Sequence, residues 1–173
     1  VRIGCALHSL RAVPPEAMRA VLAELPADTR IHIHIAEQHA EVEECIAMRG
    51  ARPVRWLLDN AEVDARWTLV HATHLDADEV QGIARSGATV AICPTTEANL
   101  GDGLFPMQAF AREGGRFGVG SDSNVLIDAA EELRLLEYGQ RLQLRGRNVL
   151  APQDDTSSGR WLFQQSLQGA AQA

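Results

Sequence analysis

Between Ile31 and Glu37, three isoleucines alternate with two histidines, and the glutamate follows the second histidine by three residues. Side chains of a β-strand alternate between faces, so Ile31, Ile33 and Ile35 share one face and His32 and His34 the other. The pattern predicts two imidazoles on a buried side of the strand, ending beside a carboxylate. Imidazole is the commonest metal ligand, and a carboxylate is the usual proton carrier in metal-assisted hydrolysis. Taken alone, a core strand whose histidines hydrogen-bond to their neighbours explains the segment equally well.

Other strand ends tip that balance. His8, His34 with Glu37, His71, and Asp122 each fall at the C-terminal end of a different expected strand, while the interiors are Ile, Val, Ala and Cys. In parallel α/β architectures that edge is where catalytic side chains project. Chance accounts for one or two such placements. Four of them point to a shared site.

The elements that must position these residues follow from periodicity. Strands are expected over residues 1–7, 31–36, 67–70, 88–93 and 116–120, with helices between them. Pro14-Pro15 opens a helix whose Met18, Val21, Leu22 and Leu25 form one face. Further helices are expected over 39–49, stopped by Gly50, from Pro53, and from an Asp76/Glu79 capping box to Gly87. Residues 95–103 read as a polar, glycine-bearing loop. Helices over about 106–112 and 127–144, a linker over 145–158 and a last helix carrying Trp161 complete the chain. Strand–helix repetition of this kind predicts a parallel sheet covered by helices. A closed barrel of eight units needs about 250 residues. Five units therefore form either a small doubly wound sheet or the last part of a barrel, and no GxGxxG follows the first strand.

Composition excludes other classes. The chain has 173 residues, 46% of them hydrophobic, which suits one globular domain. Its net charge of −7 argues against nucleic-acid and anionic-membrane partners. No apolar run is long enough to span a membrane. Cys5, Cys45 and Cys93, without a CxxC pair, suggest reduced thiols and a cytoplasmic protein. The opening without Met suggests a piece of a longer chain.

The strand-end residues resemble the amidohydrolase superfamily of metal-dependent hydrolases over essentially the whole chain. His34-Ile35-Ala36-Glu37 is similar to the His-x-x-Glu that ends the fifth strand in its deaminase branch, His71 to the histidine ending the sixth, and Ser121-Asp122 to the end of the eighth. His8 to Val13 and Cys93 to Gly103 are similar to segments of members that deiminate N-formimino-L-glutamate. The resemblance implies a parallel (β/α)8 TIM-type barrel, with residues 1–173 supplying strands four to eight and the N-terminal barrel strands and β-sandwich portions absent. It implies hydrolysis of that small-molecule substrate to N-formyl-L-glutamate and ammonia, in histidine degradation, on one zinc ion. Iron or manganese suits the same ligand types. The implied metal ligands are His34 and Asp122. Glu37 would serve as general base and then acid, Asp122 would touch the attacking water, and His71 would orient it. Arg11 and His8 would contact the substrate. Homodimers are common in the family.

Bland readings accompany these roles. Arg11 alone would be a surface arginine, and His32 a packed barrel-interior residue. His74 and His39 read as loop and helix-surface histidines, and Asp76 and Asp128 as helix-terminus carboxylates. Glu97 and Asp102 suit either a substrate mouth or a solvated loop. The family's first-strand His-x-His pair has no counterpart, and a catalytic zinc normally needs three protein ligands. The chain by itself is therefore expected to be inactive, to bind zinc weakly and to present an open sheet edge. Two rivals remain: a deaminase acting on a purine or related ring, and a non-catalytic half-barrel that binds a ligand or partner.

Overall fold

The alternating and apolar runs form strands β1 (Cys5–Ser9), β2 (Ile31–Ile35), β3 (Trp67–His71), β4 (Thr89–Ile92) and β5 (Arg116–Val119). In the computed structural model, which describes residues 3–152 and 157–173, these strands pair in chain order, all parallel, in one sheet. Val1 and Arg2 of the expected first strand, and residues 153–156 of the expected linker, lie outside the described residues. Monotonic order decides between the two expected architectures. A doubly wound sheet reverses strand order at a switch point, whereas a barrel adds each strand beside the last. The sheet is part of a (β/α) barrel.

Helices α1 (Pro15–Glu24), α2 (His39–Arg49), α3 (Pro53–Asn60), α4 (Ala77–Ser86), α5 (Pro94–Leu100), α6 (Met107–Arg112), α7 (Ala129–Leu144) and α8 (Ser158–Gln172) accompany the strands. The α4 capping box forms as expected: Asp76 accepts from the Glu79 amide at 2.8 Å and Glu79 accepts from the Asp76 amide at 3.0 Å. Asp128 caps α7 in the same way, accepting from the Ala130 amide, so that helix starts at Ala129 rather than Ile127. The expected loop over 95–103 is instead largely α5. Pro94 fits its first turn, Gly101 takes the left-handed conformation that ends it, and α7 anchors it through a hydrogen bond from the Thr95 amide to Glu132. The segment after α7 is also more fixed than a linker, because Glu137 accepts from the amides of Val149 and Leu150.

Ile33, Leu69, Val90 and Phe117 stand side by side in register and are almost wholly buried. Ile31 and Ile35 are buried with them, whereas His32 and His34 are only half-buried. The expected buried histidine face is thus corrected: the apolar packing lies on the isoleucine side. The expectation of an open edge is corrected at β5, where α8 packs along the strand. Its Gly169 approaches so closely that a Cβ there would sit 1.9 Å from the Phe117 carbonyl oxygen. Among the described residues, no helix is long and apolar enough to cross a membrane.

Candidate active site

The strands deliver their polar residues through an unusual backbone. His8, His71 and Asp122 have φ of 50°, 68° and 51°, and Ala36, just after β2, has 51°. Left-handed conformations are uncommon outside glycine, and such backbone strain clusters at functional sites. At His71 the consequence is direct. It is in register with Ile35, so simple alternation would send its side chain to the isoleucine face. The left-handed turn brings the ring to the cavity instead.

That cavity has a volume of about 320 Å³ and is lined by His8, Arg11, His34, Glu37, His71 and Asp122, together with residues of α5 and of the turn after β5. The structure therefore brings together every residue that the sequence singled out for the site. His71 is the hub. Its Nε2 lies 3.5 Å from Glu37 and 3.7 Å from Asp122, and its Nδ1 lies 3.2 Å from Glu97. The His34 ring stacks against His71 at a centroid distance of 5.7 Å, and His8 lies 5.5 Å from His34 on the other side. His34 Nδ1 is 3.0 Å from the His8 carbonyl oxygen, which can accept but not donate, so Nδ1 carries the proton and Nε2 keeps a lone pair. Arg11 is exposed at the cavity rim.

Electrostatics follow from this packing. Burial pushes the Glu37 carboxyl above its ordinary pKa, with Asp102 and Glu41 adding to the effect and His71 and His34 opposing it. For His71, burial works against charge, but hydrogen bonding to Glu97 and the charges of Glu37, Glu97 and Asp122 outweigh it, so its pKa is raised. His32, half-buried beside His34, is shifted downward by burial and by that neighbour.

Two carboxylates matter that the sequence did not single out for these positions. Glu41 is buried in the first turn of α2 and accepts from the amides of Ala36 at 3.0 Å and Glu37 at 2.9 Å. It holds the turn that carries Glu37. Its only sequence signal was a glutamate in a helix's first turn, a common capping pattern. Glu97 is 3% exposed, which corrects the solvated-loop alternative, as does the burial of Asp102. His39 stays on the helix surface as expected, 3.2 Å from Glu43, and the His74 ring packs edge-on against it.

His71, Cys93 and Glu97 also place ligand-type atoms within 4.8 Å of one another. Burial and nearby carboxylates push the Cys93 thiol far upward, and one Glu97 oxygen receives the Cys93 amide at 2.9 Å.

Residues 1–162 match the profile of the Amidohydrolase family. The chain is 54% identical over 171 residues to formimidoylglutamate deiminase of Pseudomonas aeruginosa, covering 99% of this chain and 38% of that protein. It is 33% identical over 154 residues to 8-oxoguanine deaminase of the same organism, covering 86% of this chain and 34% of that protein. Among solved structures, an amidohydrolase from Brucella melitensis superposes with a TM-score of 0.95 at 54% identity, covering 98% of this chain and 38% of that one. An adenosine deaminase from Xanthomonas campestris with bound zinc superposes at 0.78 with 26% identity, covering 86% and 35%. The chain thus spans little more than a third of the length of these relatives.

Proposed function

The chain belongs to the amidohydrolase family, and we propose that the protein carrying it hydrolyses the terminal C–N bond of N-formimino-L-glutamate, giving N-formyl-L-glutamate and ammonia, as a step of histidine degradation in the cytoplasm. The observation that carries this reading is the convergence of His34, Glu37, His71 and Asp122, from three strand ends, on a cavity rimmed by Arg11. Identity of 54% to a formimidoylglutamate deiminase supports the substrate.

The residues present fit a divalent metal, with zinc the first choice. His34 offers Nε2, its other nitrogen being engaged by a carbonyl as metal-ligating histidines ordinarily are, and Asp122 offers a carboxylate on the cavity wall. These two residues would hold the ion. When bound, such a metal acts as a Lewis acid that brings the pKa of water within reach of neutral pH. Two ligands are fewer than a catalytic zinc normally takes, so this chain by itself would bind it weakly and be inactive.

The remaining steps belong to side chains of this chain. Glu37 accepts a proton from the attacking water at a carboxylate oxygen as the water oxygen bonds to the formimino carbon. It gives that proton to the terminal nitrogen, leaving a tetrahedral carbon that bears hydroxyl and amino groups, then carries the hydroxyl proton to the same nitrogen as the carbonyl forms, so that the C–N bond breaks and ammonia leaves. The raised pKa of Glu37 suits a group that must both take and give a proton. His71, between Glu37 and Asp122, orients the water and stabilises charge at the reacting carbon. Arg11 binds a substrate carboxylate with its planar fork, and His8 beside it adds a contact.

Similarity to 8-oxoguanine deaminase supports a second reading, deamination of a ring. Ammonia release by the full-length protein with zinc, from N-formimino-L-glutamate and from guanine, separates the two. The expected result is turnover of the formimino acid alone, with Arg11→Gln raising its KM by about tenfold or more. Turnover of guanine without the acid overturns the substrate assignment.

A further inference from the structure

Glu97 is a buried carboxylate with no part in the steps above. An ionised carboxylate removed from water costs several kcal/mol unless it is well bonded, so its placement calls for a reason. Its two close partners supply one. Glu97 Oε1 accepts the amide of Cys93, at the end of β4, at 2.9 Å, and it lies 3.2 Å from Nδ1 of His71, at the end of β3. The side chain therefore ties two adjacent strand ends together. α5 fixes it further, because the Glu97 amide donates to the Cys93 carbonyl and the Asp102 amide donates to the Glu97 carbonyl, both at 2.9 Å.

We propose that Glu97 is a positioning residue that fixes the tautomer and orientation of His71. An amide N–H can only donate, so the oxygen bonded to Cys93 is an acceptor, and the imidazole nitrogen that meets the same oxygen must be the protonated one. The proton a neutral imidazole keeps is set by the hydrogen bond its other nitrogen makes. With Nδ1–H committed to Glu97, His71 turns Nε2 to the gap between Glu37 and Asp122, where the reacting atoms would lie. Without an acceptor at Glu97, the neutral ring would revert to the Nε2–H form that it favours in water. The tautomer is a property of the metal-free chain, whereas its kinetic consequence rests on the hydrolase reading above.

The test is nitrogen-15 NMR of histidine-labelled, metal-free full-length protein, at a pH high enough to make His71 neutral, with its signals assigned by their loss in His71→Asn. Wild type is expected to show His71 protonated at Nδ1. Glu97→Gln keeps an amide oxygen that the Cys93 amide can orient, and is expected to keep that tautomer. Glu97→Leu is expected to move the proton to Nε2. In the zinc-loaded protein, Glu97→Leu should lower kcat about 100-fold with KM and bound zinc unchanged, and Glu97→Gln should recover to within about tenfold of wild type. If Glu97→Leu leaves His71 protonated at Nδ1, or Glu97→Gln is no better than Glu97→Leu, the proposal is overturned. A tautomer that depends on Glu97 in a protein that does not turn over the formimino acid would uphold the positioning role and remove the functional reading instead.

Discussion

The two faces of β2 are built on opposite principles. Ile31, Ile33 and Ile35 are at most 1% exposed, and the removal of each from water contributes about 2 kcal/mol, which is sufficient reason for that face. His32 and His34 gain no such burial. Beyond them the backbone turns left-handed at Ala36, as it does at His8, His71 and Asp122, and carboxylates gather around His71. The isoleucine face secures the fold, and the edge spends some of that stability on chemistry.

This division can be broken or sharpened by substitution. The largest stability effect is expected on the apolar face: Ile33→Ala should cost about 3 kcal/mol in denaturant unfolding. Turnover per folded molecule of the full-length protein should remain close to wild type. A proportionate loss of turnover would mean that the two faces are not separable. A smaller effect tests whether every polar group near the edge is functional. Asp76 caps α4 just beyond β3, so Asp76→Ala should cost about 1 kcal/mol of stability with kcat unchanged.

The smallest effect concerns pH. The pKa of His71 is raised in the fold from its ordinary 6.5, so its contribution to stability is complete below that value and is lost as pH rises through the folded-state pKa. The thermal midpoint of metal-free protein should therefore fall as pH rises above about 6.5, and His71→Asn should flatten that slope. An unchanged slope in the variant would assign it to other groups.

Much of this was legible in the residues. Alternation at 31–35 and apolar runs elsewhere located the strands, because burying one face of a sheet imposes that pattern. His34, Glu37, His71 and Asp122 stood out as polar groups at strand ends. Other features depend on three-dimensional neighbours. Glu41 carries no signal beyond a helix's first turn and Glu97 suits a substrate mouth or a solvated loop equally, since a helix or loop glutamate is usually solvated, and the packing of α2 and α5 against the strand ends buries them. Residues 95–103 read as loop because they are polar and glycine-bearing, and the Thr95–Glu132 contact helps to hold their first part as α5. The direction of the His71 ring contradicts its strand parity and follows from the left-handed backbone at His71, which continues at Ala72.

The central claim is that Glu37 moves the proton while other groups hold the metal. It is tested most directly by Glu37→Gln in the full-length protein, with zinc content and ammonia release from N-formimino-L-glutamate measured on the same sample. The account predicts a loss in kcat of about a thousandfold or more with zinc retained. Turnover close to wild type, or loss of zinc in parallel with activity, would contradict it.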